Sequence, residues 1–409
     1  MEGYEFGGGG FQFLFSRGEF RGRIYKIINK RFSENPKTAK MSVESVIQEG
    51  GGGGSGKVAK YIVERKWSHE QETAKMNTYV QRSQIDKIIE HDADVYVRSG
   101  GAGEPDKLLL RFRKGVLSPE KRQAFYENVI EFAHHTTENR GNATGNNGKR
   151  GVQYNKSVKS NILGFFDRWS PKQKHKFRNH GFRADIDVRP CRFNMEHPAQ
   201  YKLLLPLLQE IDQWYKRLVP EQYAKQYQKA RSIPVFRVAG TAFTTVTTNV
   251  NYRTSIHHDK GDDEEGFGNL VVLERGEYTG GETCFPQYGL AVDVREGDVL
   301  FMDVHESHGN LPIKTIRAAT VEEGNEDGDS NAIRLSVVCY LRRKIWEKTR
   351  GKTRKQLHDW HEKILEFSGH GTPSGRVKTL KKTRGKRGTT GGGSGDGTGL
   401  FSTGLAWGS

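Results

Sequence analysis

Beyond residue 233 the chain reads with a period of two. The runs VFRVAG, FTTVTTNVNY, GNLVVLE, GLAVDV, DVLFMDV and AIRLSVVCYL follow one another between Gly, Asp and Pro turns, with no helical stretch among them. Successive side chains of a strand point to opposite faces, so each run can cover a core with one of its sides. Several short strands at close spacing without intervening helices indicate an antiparallel barrel or jelly roll.

The preceding region mixes periods. DADVYV and KLLLRFRKGVL read as short strands around a GGAGEPD turn. Ser118, Pro119 and Glu120 then make a good N-cap, first position and first turn for a helix carrying Phe125, Val129, Ile130 and Phe132. From about 198 to 218, Leu204, Leu207, Leu208, Ile211, Trp214, Tyr215 and Leu218 form the broad apolar stripe of a second helix. The fold class expected is α+β, with helices flanking the strand-rich core.

Four regions follow. Residues 1–57 are Gly-rich and polar and are expected to be disordered, because they cannot bury enough surface to offset chain entropy. Residues 58–150 are a mixed α/β region packing on the core, 151–348 hold the core itself, and 349–409 are a basic helix followed by a disordered Gly/Lys/Arg-rich tail. Gly51, Gly56 and Lys57 fit a phosphate-cradling GxxxxGK, but Val58 stands where a hydroxyl must reach Mg²⁺, so a Gly-rich linker is the better reading. Of all residues 34% are hydrophobic, which rules out a wholly disordered chain. No run reaches the length of a membrane span and the start lacks the order of a secretory signal, so an intracellular protein without membrane contact is expected. Cys191, Cys284 and Cys339 are far apart and lack CxxC spacing, which predicts reduced, buried thiols rather than a disulfide framework or zinc site.

The chemistry concentrates where a strand ends in His257-His258-Asp259. On extended backbone positions i and i+2 share a side, so an imidazole and a carboxylate converge there. A third ligand is offered downstream by His305 or His308 in DVLFMDVHESHGN. Two histidines and one carboxylate suit non-haem Fe(II), which keeps open positions for O₂ and a co-substrate. Further on, Arg334 and Ser336 share one face of a strand and Leu335 and Val337 the other. A buried guanidinium needs an anion, and its planar fork fits a carboxylate such as the distal one of 2-oxoglutarate.

With these residues in view the sequence resembles the Fe(II)/2-oxoglutarate dioxygenases, and within them the TET and base-J-binding-protein branch that oxidises the methyl group of thymine or 5-methylcytosine. The resemblance lies in NYRTSIHHDKGD (251–262), in 266–310 from GFGNLVVLERGEYTGGET to VLFMDVHESHGN, and in RLSVVCYLRR (334–343); weaker likeness extends it over roughly 155–345. It implies a double-stranded β-helix (jelly-roll) core, Fe(II) held by His257, Asp259 and His308, and 2-oxoglutarate held by Arg334 with help from Ser336. The family places its distal histidine before Gly-Asn, which favours His308 over His305, and Gly309 is expected to let backbone approach the metal. His258 is expected on the opposite face as a satisfied histidine, Gly280 and Gly281 as a hairpin bend, and Asp262 and Asp298 as turn formers, Asp262 also being near enough to support a ligand. An acidic insertion, VEEGNEDGDSN, separates His308 from Arg334, leaving Arg317 as a minor rival for the carboxylate, and the remaining chain is short for the separate glucosylated-base-binding domain of longer members.

Lysines and arginines outnumber acids to give a net charge of +16, which points to a polyanionic partner. The expected partner is double-stranded DNA with the target nucleotide flipped out of the stack, because a base methyl inside a duplex cannot reach a buried iron. Phosphate contacts are assigned to the basic segments 171–183 and 341–355 and to the tail 376–387, and the chain is expected in the nucleus or otherwise with DNA. The alternatives are a protein or peptide hydroxylase on the same fold and a catalytically inactive DNA-binding module. One arginine does not distinguish 2-oxoglutarate from ascorbate as the co-substrate.

Overall fold

A computed structural model describes residues 42–46, 57–99, 101, 104–136, 158–179, 186–315 and 332–367. The Gly51–Gly56 run, the acidic insertion, Arg317, residues 180–183 and the tail 376–387 lie outside the described residues.

The N-terminal strands are β1 (Ser42–Val46), β2 (Val58–Val63), β3 (Lys87–Ile89), β4 (Ala93–Val97), β5 (Lys107–Arg113), β6 (Lys159–Phe166) and β7 (Arg189–Pro190). After them come β8 (Thr245–Val250), β9 (Gly268–Arg275), β10 (Tyr278–Gly280), β11 (Thr283–Phe285) and β12 (Leu290–Val292). The last are β13 (Val299–Met302), β14 (Gly309–Asn310), β15 (Ile313–Thr315) and β16 (Ile333–Tyr340). Ten of them form one sheet in the order β1-β2-β4-β5-β13-β9-β16-β8-β6-β7, and a smaller sheet has the order β14-β11-β12-β3. From β8 onward the chain passes back and forth between the two sheets: β9, β13 and β16 join the large one, while β11, β12 and β14 build the small one. A bridge between His257 and His308 adds one more rung to the small sheet. This is the jelly-roll core in an α+β frame.

The period-two pattern decides what each face touches. In β16, Leu335, Val337 and Cys339 join the main apolar cluster, as do Val246 and Val250 of β8, Val271 and Leu273 of β9, and Val299 and Phe301 of β13. The helices Pro119–Ala133 and Pro198–Leu218 supply the other half of that cluster through Phe125, Val129, Phe132, Leu204, Leu207, Leu208, Ile211 and Tyr215. The alternate residues, Thr247 and Asn249 of β8, Leu270 of β9, Met302 of β13, and Arg334 and Ser336 of β16, face a cavity between the sheets. Both sides of the sheet are therefore covered, and what alternates is chemistry rather than exposure.

Three expectations change. Ser42–Val46, inside the segment expected to be disordered, is a strand paired antiparallel with β2. VFRVAG is not a strand: Pro234–Phe236 is a 3₁₀ turn, followed by a tight turn in which Thr241 N–H donates to the Val238 carbonyl (3.0 Å) and Gly240 takes φ +78. Pro234 lacks the N–H a ladder needs, and Phe236 and Val238 are apolar because they are buried, not because they alternate. The helix after Ser118 begins at Pro119 as expected, but the Ser118 hydroxyl donates to Glu120 Oε2 (3.1 Å) instead of capping the helix backbone. The three cysteines are buried free thiols. Among the described residues no helix is long and apolar enough to cross a membrane.

Candidate active site

Two short segments deliver the metal-ligating set. After β8 the chain turns at Asn251, a left-handed residue (φ 48) whose side chain and backbone both grip the start of β16: Oδ1 accepts from Arg334 N–H (2.7 Å), and its own N–H donates to the Arg334 carbonyl (3.0 Å). Asparagine tolerates that conformation. The chain then runs beside β14, where Asn310 Oδ1 accepts from Thr254 N–H (2.6 Å) and Thr254 Oγ1 (2.7 Å).

His257 and His308 exchange both backbone hydrogen bonds, at 2.9 and 3.0 Å, which sets their rings on one side with centroids 4.4 Å apart. Each ring is oriented in the same way. His257 Nδ1–H donates to the Ser255 carbonyl (2.7 Å) and His308 Nδ1–H to the Glu306 carbonyl (2.9 Å). Using Nδ1 as a donor commits Nε2 to the cavity, the tautomer a metal requires. Asp259 lies between them, with Oδ1 3.7 Å from His257 Nε2 and Oδ2 3.6 Å from His308 Nε2. These separations are too long for hydrogen bonds, and the three ligand atoms fall within 4.8 Å of one another. Burial disfavours a charged His308 ring, but the adjacent Asp259 carboxylate outweighs it and holds the His308 pKa above its ordinary value.

His305 is not brought to this cluster. Its Nε2 faces the Asp263 carbonyl at 3.1 Å, and its backbone N–H donates to Asp303. His258 is satisfied as expected: Nδ1–H donates to the His305 carbonyl (2.6 Å), and Nε2 is 3.0 Å from Ser307 Oγ. A Cβ at Gly309 would stand 3.1 Å from the Ser255 carbonyl oxygen and 3.2 Å from Val80 Cγ2, so a glycine there also makes room for those neighbours.

Arg334 shares a cavity of about 230 Å³ with this triad. It is 5% exposed, and its Nε makes no hydrogen bond among the described residues. An unmet donor on a buried guanidinium is costly even with the Glu282 carboxylate nearby, and together with the two-histidine, one-carboxylate set it fits an iron site that also takes a carboxylate co-substrate. Ser336, next on the same face, accepts from Asn249 Nδ2 (3.2 Å). Gly280 and Gly281 are not the expected hairpin bend, because β10 pairs with β15 whereas β11 pairs with β12 and β14 in another sheet. At φ +81 Gly281 lies so close to Arg334 that a Cβ would sit 2.9 Å from Nε, whereas Gly280 makes room for the Pro312 carbonyl.

The same cavity is lined by Asp262, Tyr340 and Arg342. Asp262 turns the chain, its N–H donating to the Asp259 carbonyl (3.2 Å), but burial first and the nearby Asp259 second push its carboxyl well above the ordinary carboxylate range, against the pull of Arg342. Asp298 is a turn former that also accepts from Gly115 N–H (2.9 Å). Within 341–355, the Arg342 guanidinium pairs with Asp167 (3.0 Å) and lies over the Phe166 ring (4.4 Å). Other cations of the two basic segments also have acidic neighbours. Lys174 and Lys348 both meet Asp187, at 3.0 and 3.1 Å, and Lys355 meets Asp359 at 2.6 Å. Long-range pairs such as Arg342–Asp167 carry no sequence signal beyond the charges themselves.

Residues 176–343 match the family model Tet_JBP, the oxygenase domain of the 2OGFeDO superfamily. Thymine dioxygenase JBP1 of Trypanosoma brucei brucei is 29% identical over 191 residues, 47% of this chain and 20% of that protein. The bifunctional helicase and thymine dioxygenase JBP2 of Leishmania tarentolae is 31% identical over 181 residues, 44% of this chain and 14% of that protein. The matched part is thus a fifth or less of each relative. A solved structure of NgTET1 in complex with 5mC DNA aligns at 14% identity over 74% of this chain and 90% of that chain, with a TM-score of 0.41. Residues 176–343 are thus similar to the oxygenase domain of the TET/JBP-like 2OG-Fe(II) oxygenases, over less than half of the chain.

Proposed function

We propose that this chain is an Fe(II)- and 2-oxoglutarate-dependent dioxygenase that oxidises the methyl group of thymine or 5-methylcytosine in DNA. The observation that carries the reading is the convergence of His257, Asp259 and His308 in one cavity with the unsatisfied Nε of Arg334. In this reading the three side chains hold the iron through His257 Nε2, His308 Nε2 and the Asp259 carboxylate. The Nδ1–H bonds to Ser255 and Glu306 fix both rings, so little ordering is left to do when the ion binds. Arg334 takes the distal carboxylate of 2-oxoglutarate, with Ser336 Oγ beside it.

Bound iron supplies, with O₂ and 2-oxoglutarate, the power to hydroxylate an unactivated C–H bond, the co-substrate leaving as succinate and CO₂. Leu270, Met302 and Val338 give the cavity an apolar side that limits water. Asp262, Tyr340 and Arg342 give it a polar and aromatic side suited to the edge and face of a planar base. A duplex is far too wide for a cavity of about 230 Å³ between two sheets, so in this reading the base is flipped out to reach it.

The test is anaerobic loading of the full chain with Fe(II), followed by O₂ and either thymine-only or 5-methylcytosine-containing DNA, with mass spectrometry of the digested nucleosides. A base product that requires both iron and 2-oxoglutarate is expected. A product that forms with ascorbate alone would change the co-substrate, and no modified base with either DNA would overturn the reading.

A further inference from the structure

We infer that residues 65–80, which precede the matched domain, are a working part of the metal site, with Glu72 as a positioning residue for both ligand-bearing segments; the inference rests on the reading of His257, Asp259 and His308 as metal ligands.

The first contact is made by backbone. Asn77 N–H donates to the Ile256 carbonyl and Ile256 N–H to the Thr78 carbonyl, both at 2.8 Å. Residue 256 immediately precedes the first ligand, so this rung pins the segment that carries His257 and Asp259. Val80 is fully buried and packs toward Gly309, which follows the last ligand. Its carbonyl accepts from Arg253 (2.9 Å), whose guanidinium lies over Tyr79 at 4.3 Å.

The second contact is made by side chains, and it reaches both segments through one hydroxyl. Glu72 lies in the helix His69–Lys75, whose start is held by a capping box between Ser68 and Gln71. It is a carboxylate only 7% exposed. Such a group is costly to bury unless it is paired and hydrogen-bonded. One of its oxygens accepts from Ser307 Oγ and the other from Arg65. Ser307, itself fully buried, is the residue before His308, and its Oγ is 3.0 Å from Nε2 of His258, the residue between His257 and Asp259. Arg65 continues outward to Tyr288 Oη (2.9 Å) and Glu306 (2.6 Å), and Tyr288 also donates to Glu306 (2.8 Å). Glu306 is the residue whose carbonyl orients the His308 ring. Three ligand atoms gathered from two separate segments bind an ion well only if the segments are held in register, and Glu72 sits where both are held.

The experiment uses the full chain, Co(II) as the probe for the iron site, and the variants Glu72→Ala, Glu72→Gln and His308→Ala. Co(II) affinity and the visible ligand-field absorption of the bound ion are read beside the metal-free melting temperature. Glu72→Ala is expected to weaken Co(II) binding by about tenfold or more, the usual cost of losing a supporting residue, and to change the absorption band. Glu72→Gln keeps the shape and an acceptor for Ser307, so it should recover most of the affinity and the wild-type band, and it keeps the test usable if the alanine variant does not fold. A Glu72→Ala protein that melts lower but binds Co(II) with unchanged affinity and band would make Glu72 merely structural and overturn the inference. Glu72→Gln binding as weakly as Glu72→Ala while folded would overturn the route through Ser307. A wild type that does not bind Co(II), or a His308→Ala variant that binds as the wild type does, would remove the reading of the metal site itself.

Discussion

His305 and His308 are separated by two residues and differ in what their side chains do. His308 spends Nδ1 on a carbonyl and aims Nε2 at Asp259, whereas His305 turns Nε2 away to the Asp263 carbonyl. Replacing His308 by Ala should therefore abolish turnover and metal binding, while His305→Ala should lose about 1 kcal/mol of stability, the net worth of one hydrogen bond, and keep turnover within a few-fold. Activity assays and metal titration of both variants check this, and the reverse pattern would exchange the ligands. At the other end of the cavity, Arg334→Ala removes a charge-assisted pair. About 1.5–3 kcal/mol for such a bond corresponds to a rise of about tenfold to a hundredfold in the 2-oxoglutarate KM. Gly281→Ala tests the same group from outside, since its Cβ would press on Arg334 Nε at 2.9 Å in a backbone region only glycine adopts readily. A smaller rise in that KM with kcat largely kept is expected from steady-state kinetics. A fall in kcat with KM unchanged would mean that Gly281 serves the link between β10 and β11 and not the arginine.

At the scale of the element, β16 explains why so much was legible. Leu335, Val337 and Cys339 face the helices while Arg334 and Ser336 face the cavity, so one alternating run writes both a core and a site into eight residues. The helix Pro198–Leu218 is equally plain, because its stripe recurs at three and four residues and every leucine of the stripe is buried. Leu208→Ala should accordingly cost about 2–5 kcal/mol by denaturant unfolding. Leu203, on the same helix but 52% exposed, should change stability by no more than about 0.5 kcal/mol when replaced by Ala; equal losses would mean the helix packs through a different face. What could not be read is equally physical. Strands of two or three residues such as β14, β10 and β3 are too short to show a period. Apolar residues in the turn at 234–240 imitate a strand, and the fit of Val80 against Gly309 or of Glu72 against Ser307 joins residues more than two hundred positions apart. His257 and Asp259 were legible because they sit two apart on extended backbone, whereas the choice of His308 over His305 rested on the family resemblance. The support of the triad was not legible, because that support comes from elsewhere in the chain.

For the whole molecule, the net charge of +16 is unevenly committed. Arg342 lines the cavity and is paired with Asp167, and Lys174, Lys348 and Lys355 each have a carboxylate within about 3 Å. Exposed ion pairs are individually weak, so the outer ones can still exchange their carboxylate for a phosphate, but they start with part of their field cancelled. Arg376, Lys378, Lys381, Lys382, Arg384, Lys386 and Arg387 carry no acid among them, and they lie outside the described residues. If DNA is the partner, the affinity should fall linearly on a log–log plot against salt, with a slope of about −0.9 per phosphate neutralised. Replacing those seven cations by Gln should then flatten the slope by up to about six units and weaken binding alike for methylated and unmethylated duplexes, because phosphate contacts carry no sequence information. Turnover at saturating DNA should stay near that of the wild type, since the iron and co-substrate are assigned to His257, Asp259, His308 and Arg334. The measurement is a salt series of binding isotherms for the wild type and the tail variant, followed by single-turnover kinetics at saturating DNA. An unchanged slope would move the phosphate contacts back to the outer face of the folded domain, whereas an unchanged slope with a collapse of turnover would mean that the tail acts on the nucleotide after binding and not on the duplex before it.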